Sequence, residues 1–323
     1  MFEVIRTERD YNPAYCRILS LREYATTRGM AIKEQDEGCK VKIIFLIFER
    51  VGVFTNQAEH LKVRSAGSMD EKINKVADMI EKAKRVVVFT GAGISTESGI
   101  PDFRGPGGLW TKYDPDDFTI DKFLGSHATR KKMWQRLREG GLMDDANPNA
   151  THYAIVELEK MGKLSALVTQ NIDNLHQKAG SNPDLIRELH GNMQRLVCLN
   201  CGELYPIALV KEHYADSETV PTCEYCRGIL KPDVIFFGEA LPQRTLAQAM
   251  QEASECDVML VIGSSLVVYP AAYIPVQAKQ AGAHVVIINK GPTEQDHHAD
   301  VRIDAAAGAT MTKILTRLKA ISL

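Results

Sequence analysis

A glycine-rich stretch in the first third of the sequence has residue types that suit the binding of a phosphate group. Residues 86–89 are β-branched or aromatic, which predicts a strand buried on both faces. Gly91-Ala-Gly93 follows, and glycines there let backbone N–H groups approach an anionic ligand closely. Ser95, Thr96 and Ser98 add hydroxyl donors, and a short helix beginning here would direct its positive end toward a phosphate. We therefore predict a pyrophosphate site at this turn.

The glycine spacing alone does not identify the ligand. The next glycine, Gly99, follows Gly93 by six residues, whereas the dehydrogenase pattern requires three. A tight turn in any α/β protein is therefore an equal alternative. Phe103 and Arg104 favour the phosphate interpretation, because an arginine can pair with a pyrophosphate and a phenyl ring can cover a flat ring.

Four of the seven cysteines form two C-x-x-C pairs, Cys198 with Cys201 and Cys223 with Cys226, separated by 21 residues. This spacing is typical of a four-cysteine zinc ribbon. Four thiolates fill every coordination position and leave none for a reactive water, so we predict one structural zinc ion. Four unrelated buried cysteines are the weaker alternative.

Composition excludes several classes of protein. At 323 residues with 45% apolar and 25% charged residues, the chain fits a soluble globular protein. The net charge of −2 gives no electrostatic footprint for direct nucleic-acid binding. The longest apolar run, residues 43–48, is far shorter than the roughly 18 residues of a membrane span, and no secretory signal is evident. Cysteines spaced for a metal indicate a reducing compartment, so we expect a cytoplasmic location.

Strands alternate with helices along most of the chain, which predicts an α/β fold with a doubly wound, parallel, Rossmann-like sheet. Strands are predicted at residues 86–89, 164–169, 258–262, 285–288 and 301–304, and helices at 149–162, 243–254 and 271–282. In such a sheet ligands bind at the carboxyl ends of the strands, where this sequence places polar residues.

The first 68 residues differ from the rest. They lack a sustained helix or strand period, and a clear helix pattern starts at Met69 with Ser68 as a possible N-cap. We predict a poorly ordered or non-catalytic extension at 1–68, with a regulatory arm as the alternative. Residues 69–323 would form the catalytic domain, with a helical insertion at about 105–162, which we interpret as a lid, and a zinc module at about 195–233.

From about Met69 to the C-terminus, an ordered set of motifs resembles the sirtuin family, especially its compact bacterial members. The motifs are Gly91-Ala-Gly-Ile-Ser95, Pro101-Asp-Phe-Arg104, Thr169-Gln-Asn-Ile-Asp173, Leu189-His-Gly-Asn192, the two C-x-x-C pairs, Phe236-Phe-Gly-Glu239, Gly263-Ser-Ser265 and Asn289. The resemblance implies an NAD-dependent protein lysine deacetylase. Its partners would be proteins or peptides with acetylated lysines, and its products nicotinamide, O-acetyl-ADP-ribose and the free lysine.

The resemblance also implies roles for individual residues. His190 would be the general base that takes a proton from the ribose, a task that suits the ordinary pKa of histidine. Asn171 would act with it and, together with Gln170, fix the ribose and a water. Ile172 and Asp173 would hold the nicotinamide carboxamide.

The implied NAD contacts are Ala92, Thr96, Phe103, Arg104, Gln170, Ile172, Asp173, His190, Ser264, Ser265, Asn289 and Ala306. The substrate peptide would lie along a strand edge formed by Val234, Phe236, Phe237, Gly238 and Glu239. An ordinary core strand is the alternative for the first part of that segment.

Some alternatives stay open from the sequence. Transfer of ADP-ribose to a protein, removal of other neutral acyl groups, and a non-catalytic NAD-binding scaffold remain possible, although the presence of His190 and Asn171 argues against the scaffold. Family members that remove acidic acyl groups resemble one another in a Tyr-x-x-Arg pair, which the stretch 133–139 lacks. An acidic acyl group would then be buried unpaired, so we expect a neutral one.

Overall fold

The computed structural model describes residues 67–103, 105, 107–139, 143, 145–209 and 219–321, together with the backbone of two short strands, β1 (Ile32–Lys33) and β2 (Ile44–Phe45). The chain divides into two compact units, Met1–Ala66 and Gly67–Leu323. In the first unit, β1 and β2 pair antiparallel. The predicted extension at 1–68 otherwise lies outside the described residues, apart from its last two.

The second unit contains a six-stranded parallel sheet, as the alternation of strands and helices predicts. Its strands are β3 (Val86–Thr90), β4 (Leu164–Thr169), β5 (Ile186–Glu188), β9 (Val258–Ile262), β10 (His284–Ile288) and β11 (Val301–Ile303). Their order in the sheet is β11-β10-β9-β3-β4-β5. The order reverses direction between β3 and β9, and such a switch point opens a crevice at the carboxyl ends of the strands.

Helices cover both faces of this sheet. The α-helices are α1 (Met69–Lys82), α2 (Ile120–Gly125), α3 (His127–Arg138), α4 (Ala150–Lys160), α5 (Leu175–Ala179), α6 (Gln243–Glu255), α7 (Tyr273–Gln280) and α8 (Ala307–Ile321). Helices α1, α4 and α8 pack on one face, and α6 and α7 pack on the other. Within the described part of the chain, no helix is long and apolar enough to cross a membrane.

The first four residues of the central strand β3 are all apolar, and their burial explains why. All five of its residues are buried. Val86 and Val88 join the core cluster on the α1 face, and Val87 and Phe89 join the cluster on the α6 face. Because successive side chains of a strand point to opposite faces, a strand covered on both faces needs apolar residues at every position.

Helix α1 begins where the sequence predicts. The Ser68 hydroxyl accepts a hydrogen bond from the Glu71 N–H at 3.2 Å, and the Glu71 carboxylate accepts one from the Ser68 N–H at 2.7 Å. This capping box satisfies backbone donors that the first turn of a helix leaves free.

A smaller antiparallel sheet carries the cysteines. It consists of β6 (Gly191–Cys198), β7 (Leu204–Pro206) and β8 (Leu230–Val234), in the order β7-β6-β8. Trp134 from α3 is fully buried against Leu196 and Leu230 of this sheet. The predicted insertion is mostly helical, and this tryptophan packs it onto the cysteine-bearing module.

We expect Gly263→Ala to destabilise the protein more than Gly282→Ala. Both glycines have left-handed backbone angles, φ 65° and 98°, so alanine at either position costs about 1–2 kcal/mol of strain. At Gly263 the added Cβ would also lie 2.4 Å from the Ile94 nitrogen, whereas nothing lies within 4 Å at Gly282. Chemical denaturation measures the free energy of unfolding, and equal losses in the two variants would contradict the close contact at Gly263.

Candidate active site

The carboxyl ends of the six parallel strands bring most of the predicted NAD-binding residues to one edge of the sheet. Each group follows its own strand: the glycine turn after β3, Gln170, Asn171, Ile172 and Asp173 after β4, His190 after β5, Ser264 and Ser265 after β9, Asn289 after β10, and Ala306 after β11. These residues lie far apart in the chain, and the parallel sheet is what gathers them.

The glycine turn lies directly against the turn that follows β9. The Gly93 N–H donates to the Gly263 carbonyl at 2.8 Å. A Cβ on Gly91 would lie 2.7 Å from the same oxygen, so only glycine fits there. The residues after the turn form a 3₁₀ helix, Ala92–Ser98, in which the Thr96 hydroxyl donates to the Gly93 carbonyl at 2.9 Å. The wall of the crevice is therefore made of backbone.

Ser95, Asn171 and Asp173 form a buried hydrogen-bond chain. The Ser95 hydroxyl donates to the Asp173 carboxylate at 2.6 Å and accepts from the Asn171 amide at 3.1 Å. The other carboxylate oxygen accepts from the Leu175 N–H at 3.0 Å. Sequence reasoning singled out Ser95 only as a possible phosphate donor, and its link to Asp173 was missed because the two residues are far apart in the chain.

His190 is fixed by the backbone of the neighbouring strand end. Its Nδ1 lies 2.9 Å from the Gln170 carbonyl, which can only accept, so Nδ1 carries the proton and Nε2 of the neutral ring is an acceptor. Burial lowers the pKa of His190 from its ordinary value, and the hydrogen bond to Gln170 partly opposes this. The Gln170 side chain in turn donates to Ser264 at 2.8 Å. The ring is thus held neutral, with one nitrogen available as a base.

Asn289 lies in a loop that an arginine holds in place. Its side-chain amide donates to the carbonyls of Lys290 and Gly291 at 3.2 and 3.1 Å. Arg302 donates to the Asn289 carbonyl at 2.9 Å and pairs with Asp296 at 2.7 Å. Sequence reasoning missed this arginine, because it comes from the adjacent strand β11.

Ala306 and Ser265 lie at the same edge of the sheet. Ala306 follows the outermost strand β11, whereas Ser265 follows β9, which is next to β3. Ala306 is exposed just before α8, and the Gly308 N–H at the start of that helix donates to the Glu97 carboxylate at 2.9 Å. This contact ties the region of Ala306 to the helix that follows the glycine turn. Ser265 is half-buried, and its carbonyl accepts from the Glu294 N–H at 3.1 Å.

Aromatic rings connect the glycine-loop region to the helical insertion. The Trp110 ring centroid lies 5.2 Å from Phe103, 5.6 Å from Phe118 and 5.8 Å from Phe237. Phe103 is thus packed among rings at the end of the glycine-rich stretch. The predicted phosphate ligand Arg104 lies outside the described residues.

The predicted strand edge for a peptide differs from what the structure shows. Strand β8 ends at Val234, and the residues after it form a loop. Phe237 bridges to Thr119 in the insertion, with its N–H donating to the Phe118 carbonyl at 3.0 Å. Val234 and Phe236 are buried, whereas Phe237 is exposed and Gly238 has a φ of 89°. The backbone N–H and carbonyl of Phe237, which a free strand edge would have offered to a peptide, are therefore hydrogen-bonded to the insertion.

A buried ion pair shapes this loop. Lys231, only 3% exposed, donates to the Glu239 carboxylate at 2.9 Å and to the Val234 carbonyl at 2.5 Å. The same Glu239 oxygen accepts from the Phe236 N–H at 2.6 Å. Sequence reasoning missed Lys231, which lies in the predicted zinc module. Its place directly after the apolar pair Ile229-Leu230 was a detectable signal, because buried charges are nearly always paired.

Two buried histidines lie behind the ends of β3 and β4. Their rings, His152 and His176, are 5.0 Å apart, and His176 Nε2 lies 3.0 Å from the Thr90 hydroxyl. Burial lowers the pKa of His152 to about 4, opposed by the charge of Asp173, and the pKa of His176 to about 3. Both rings are therefore packed below the strand ends and are neutral at neutral pH.

The four cysteines of the C-x-x-C pairs converge. Their sulfurs all lie within 4.8 Å of one another, and Cys198–Cys226 and Cys201–Cys223 are each 3.6 Å apart. A tetrahedral zinc with sulfur ligands at about 2.3 Å requires separations of about 3.8 Å. The Asn200 N–H points at the Cys198 sulfur at 3.4 Å, as a thiolate ligand requires. The cluster fits a structural zinc ion.

Comparison with known proteins identifies close relatives. The family model described as "Sir2 family" matches residues 91–270. An "NAD-dependent protein deacylase 2" of Archaeoglobus fulgidus is 48% identical over 78% of this chain and 98% of its own. An "NAD-dependent protein deacetylase" of Thermodesulfovibrio yellowstonii is 45% identical over 78% of this chain and 97% of its own.

Solved structures show the same similarity. A chain from a study of Sir2 enzyme mechanism and regulation has a TM-score of 0.71 at 47% identity, covering 78% of this chain and 99% of its own. A Sir2 complex with a p53 peptide and NAD+ has a TM-score of 0.69 at 36% identity, covering 76% and 98%. Sir2Af2 bound to a myristoylated histone peptide has a TM-score of 0.64 at 41% identity, covering 78% and 98%.

Removal of zinc should expose Trp134. The indole packs on the cysteine module and is fully buried, and Trp110→Phe leaves it as the only tryptophan of the two in the chain. We expect a strong zinc chelator to shift its fluorescence to longer wavelength and to lower the melting temperature. In that background Cys256→Ser, which changes a cysteine outside the cluster, should keep one zinc per chain. An unchanged emission after complete loss of zinc would contradict a structural metal.

The two buried histidines should make the protein less stable in mild acid. Because their pKa values are lowered from 6.5 to about 4 and about 3, the unfolded chain binds protons first as pH falls below 6.5. We expect a loss of about 2 kcal/mol per histidine at about pH 5 relative to neutral pH. Chemical denaturation should show a smaller loss for His176→Gln, and an unchanged loss for His297→Gln, which alters an exposed residue. If the unmodified protein, His176→Gln and His297→Gln lose the same stability in mild acid, the buried histidines are not the cause of that loss.

Proposed function

The chain belongs to the Sir2 family, and we propose that it removes acetyl groups from lysine side chains of proteins while consuming NAD. The observation that carries this proposal is the state of His190: a neutral imidazole at the strand-end crevice, with Nδ1 bound to the Gln170 carbonyl and Nε2 available as a base. The relatives with whole-length similarity are named NAD-dependent deacetylases or deacylases, which agrees with this chemistry. The products are nicotinamide, O-acetyl-ADP-ribose and free lysine.

The residues after β4 would hold the nicotinamide end of NAD. When bound, NAD supplies a ribose carbon that is attacked by the acetyl oxygen as nicotinamide leaves. Asp173 would accept from the carboxamide NH₂ beside the backbone of Ile172. The hydrogen bonds of Ser95 and Leu175 to this carboxylate support the assignment, because they fix its orientation before any ligand binds.

His190 would take the proton from a ribose hydroxyl through Nε2. Its Nδ1–H would stay bonded to the Gln170 carbonyl, which stabilises the imidazolium that forms. Asn171 would orient the ribose together with a water, and its buried amide is already aligned by Ser95.

The rest of NAD would lie along the glycine turn and the ends of β9, β10 and β11. Ala92, Thr96, Phe103, Arg104, Ser264, Ser265, Asn289 and Ala306 are the residues we assign to it. The close contact between Gly93 and Gly263 supports a pyrophosphate there, because it leaves a backbone surface without side chains.

The acetylated peptide would contact the end of β8 at Val234 and the loop after it, at Phe236, Phe237, Gly238 and Glu239. The exposed Phe237 ring and the exposed Gly238 backbone support this placement. Arg136 is one of the two arginines in the stretch 133–139, where acid-specific relatives carry their pair, and it lies 3.4 Å from the Asp117 carboxylate and over the Tyr113 ring. Its charge is already paired, which favours a neutral acyl group.

Removal of longer neutral acyl chains is a second candidate activity. One relative is named a deacylase, and a similar structure holds a myristoylated peptide. The ring cluster of Phe103, Trp110, Phe118 and Phe237 offers apolar surface beside the peptide loop. We also propose a cytoplasmic location, because cysteines that bind metal as thiolates persist in a reducing compartment.

Substitution of His190 tests the assignment of the base. We expect His190→Gln to lower kcat by about 10²-fold or more while NAD still binds in a calorimetric titration. Because burial lowers the pKa of His190, the acid limb of kcat/KM in the unmodified protein should lie below pH 6.5. His297→Gln is the matched control and should behave as the unmodified protein. A His190→Gln variant with normal turnover would refute the assignment.

Mass spectrometry of the products distinguishes deacylation from transfer of ADP-ribose to protein and from NAD binding without reaction. The protein is incubated with NAD and peptides carrying acetyl, longer neutral or succinyl groups on lysine. We expect nicotinamide and acylated ADP-ribose in proportion to deacylated peptide, with little reaction of the succinyl peptide. ADP-ribose retained on protein would support transfer instead, and absence of any NAD cleavage would support a binding scaffold.

A further inference from the structure

Glu188, the last residue of β5, accepts hydrogen bonds from three side chains. One carboxylate oxygen accepts from Gln177 at 2.7 Å and from Asn192 at 2.5 Å, and the other accepts from Arg195 at 3.0 Å. The donors come from α5, from the start of β6 and from the middle of β6. We call Gln177, Glu188, Asn192 and Arg195 the Glu188 cluster.

The cluster closes the base of the turn that carries His190. Glu188 precedes His190 by two residues and Asn192 follows it by two, so their hydrogen bond spans the turn. Between them, Gly191 has a φ of 78°, and a Cβ there would lie 2.0 Å from the Asp233 carbonyl. The turn is therefore tightly placed against β8 and tied across its base.

The same cluster reaches the loop that we assign to nicotinamide. The Asn192 amide also donates to the Asn174 side chain at 3.0 Å, and Asn174 directly follows Asp173 with a left-handed φ of 62°. The Met193 N–H donates to the Ile172 carbonyl at 2.9 Å. One hydrogen-bonded group therefore contacts both the turn of His190 and the loop of Asp173.

This part of the turn faces an opening in the protein. A cavity of about 550 Å³ is lined by all four members of the Glu188 cluster, together with Gly191 and Asp233. A cavity wall lacks the packed neighbours that hold a core side chain in place. The position of the turn on this side therefore depends on its hydrogen bonds.

We propose that Glu188 is a positioning residue for the reaction, whose carboxylate holds the His190 turn and the Asp173 loop in one arrangement without contacting the substrate. This inference rests on the proposed role of His190. Glutamine at position 188 would offer one acceptor oxygen in place of two, and its NH₂ group would face the donors of its neighbours. The turn would then loosen, although the side chain keeps its size.

Asp233 supplies a matched control. It is the second carboxylate partner of Arg195, at 2.9 Å, and it lines the same cavity. Asp233→Asn removes one negative charge near the same arginine, as Glu188→Gln does, but leaves the bond across the turn. An effect of charge alone should therefore appear in both variants, and an effect of the turn only in Glu188→Gln.

The test combines a histidine ring titration with steady-state kinetics. The NMR signal of His190 is assigned from its absence in His190→Gln, and its pKa is measured without substrate. Burial lowers this pKa, so a loosened turn in Glu188→Gln should let it rise toward 6.5, with kcat reduced roughly 10- to 100-fold and KM changed less. Asp233→Asn should leave both the pKa and kcat close to those of the unmodified protein.

Asn192→Ala keeps the carboxylates of Glu188 and Asp233 and removes the bond across the turn, together with the bonds of Asn192 to Asn174 and to the Gln194 N–H, so it should also raise the His190 pKa. If Glu188→Gln does not fold, the same measurements on Asn192→Ala test the proposal. An unshifted pKa with normal kcat in either folded variant overturns the proposal, as does an equal effect in Asp233→Asn. Normal turnover by His190→Gln would instead refute the assignment of His190 as the general base. The His190 ring titration in Glu188→Gln would still show whether the turn has loosened.

Discussion

The candidate site depends on the close approach of two backbone turns at the point where the sheet reverses its strand order. Gly91 and Gly93 after β3 contact Gly263 after β9, at distances that leave no room for a Cβ on Gly91 or Gly263. The resulting crevice has walls of peptide groups, which can approach an anion without displacing side chains. Every other group of the site must reach this crevice from the end of its own strand, so the sheet order decides which residues meet.

Sequence reasoning succeeded where a local pattern has one physical explanation. Strand β9 matches its predicted bounds because burial on both faces favours an unbroken apolar run, and β4, which is mostly apolar, matches its bounds too. The cysteine spacing predicted the observed cluster. It failed where a contact joins distant segments. The bond between Ser95 and Asp173 spans 78 residues, and the strand predicted beyond Val234 is a loop because the insertion bridges to Phe237. No local spacing contains those contacts.

Three histidines near the strand ends differ in burial and in hydrogen bonding. His152 and His176 lie under the strand ends with almost no exposed surface, and their pKa values of about 4 and about 3 keep them neutral in all but acidic conditions. His190 lies at the crevice, with its pKa also lowered but with one hydrogen bond to a carbonyl in opposition. A buried neutral ring can carry the hydrogen bond to Thr90 without introducing a charge below the site. Of these three rings, the one at the crevice is the ring that we propose exchanges a proton with a ligand.

The zinc module is joined to His190 by a single strand. Strand β6 starts at Gly191, directly after His190, and ends at the first cysteine of the cluster, Cys198. It pairs with β8 at both ends, through Gly191 with Val234 and through Cys198 with Leu230, and the register shifts between Gly191 and Leu196. A zinc held by four sulfurs has no open coordination position for a substrate. Its contribution to the reaction is therefore geometric: it fixes the far end of the strand on which the turn of His190 is built.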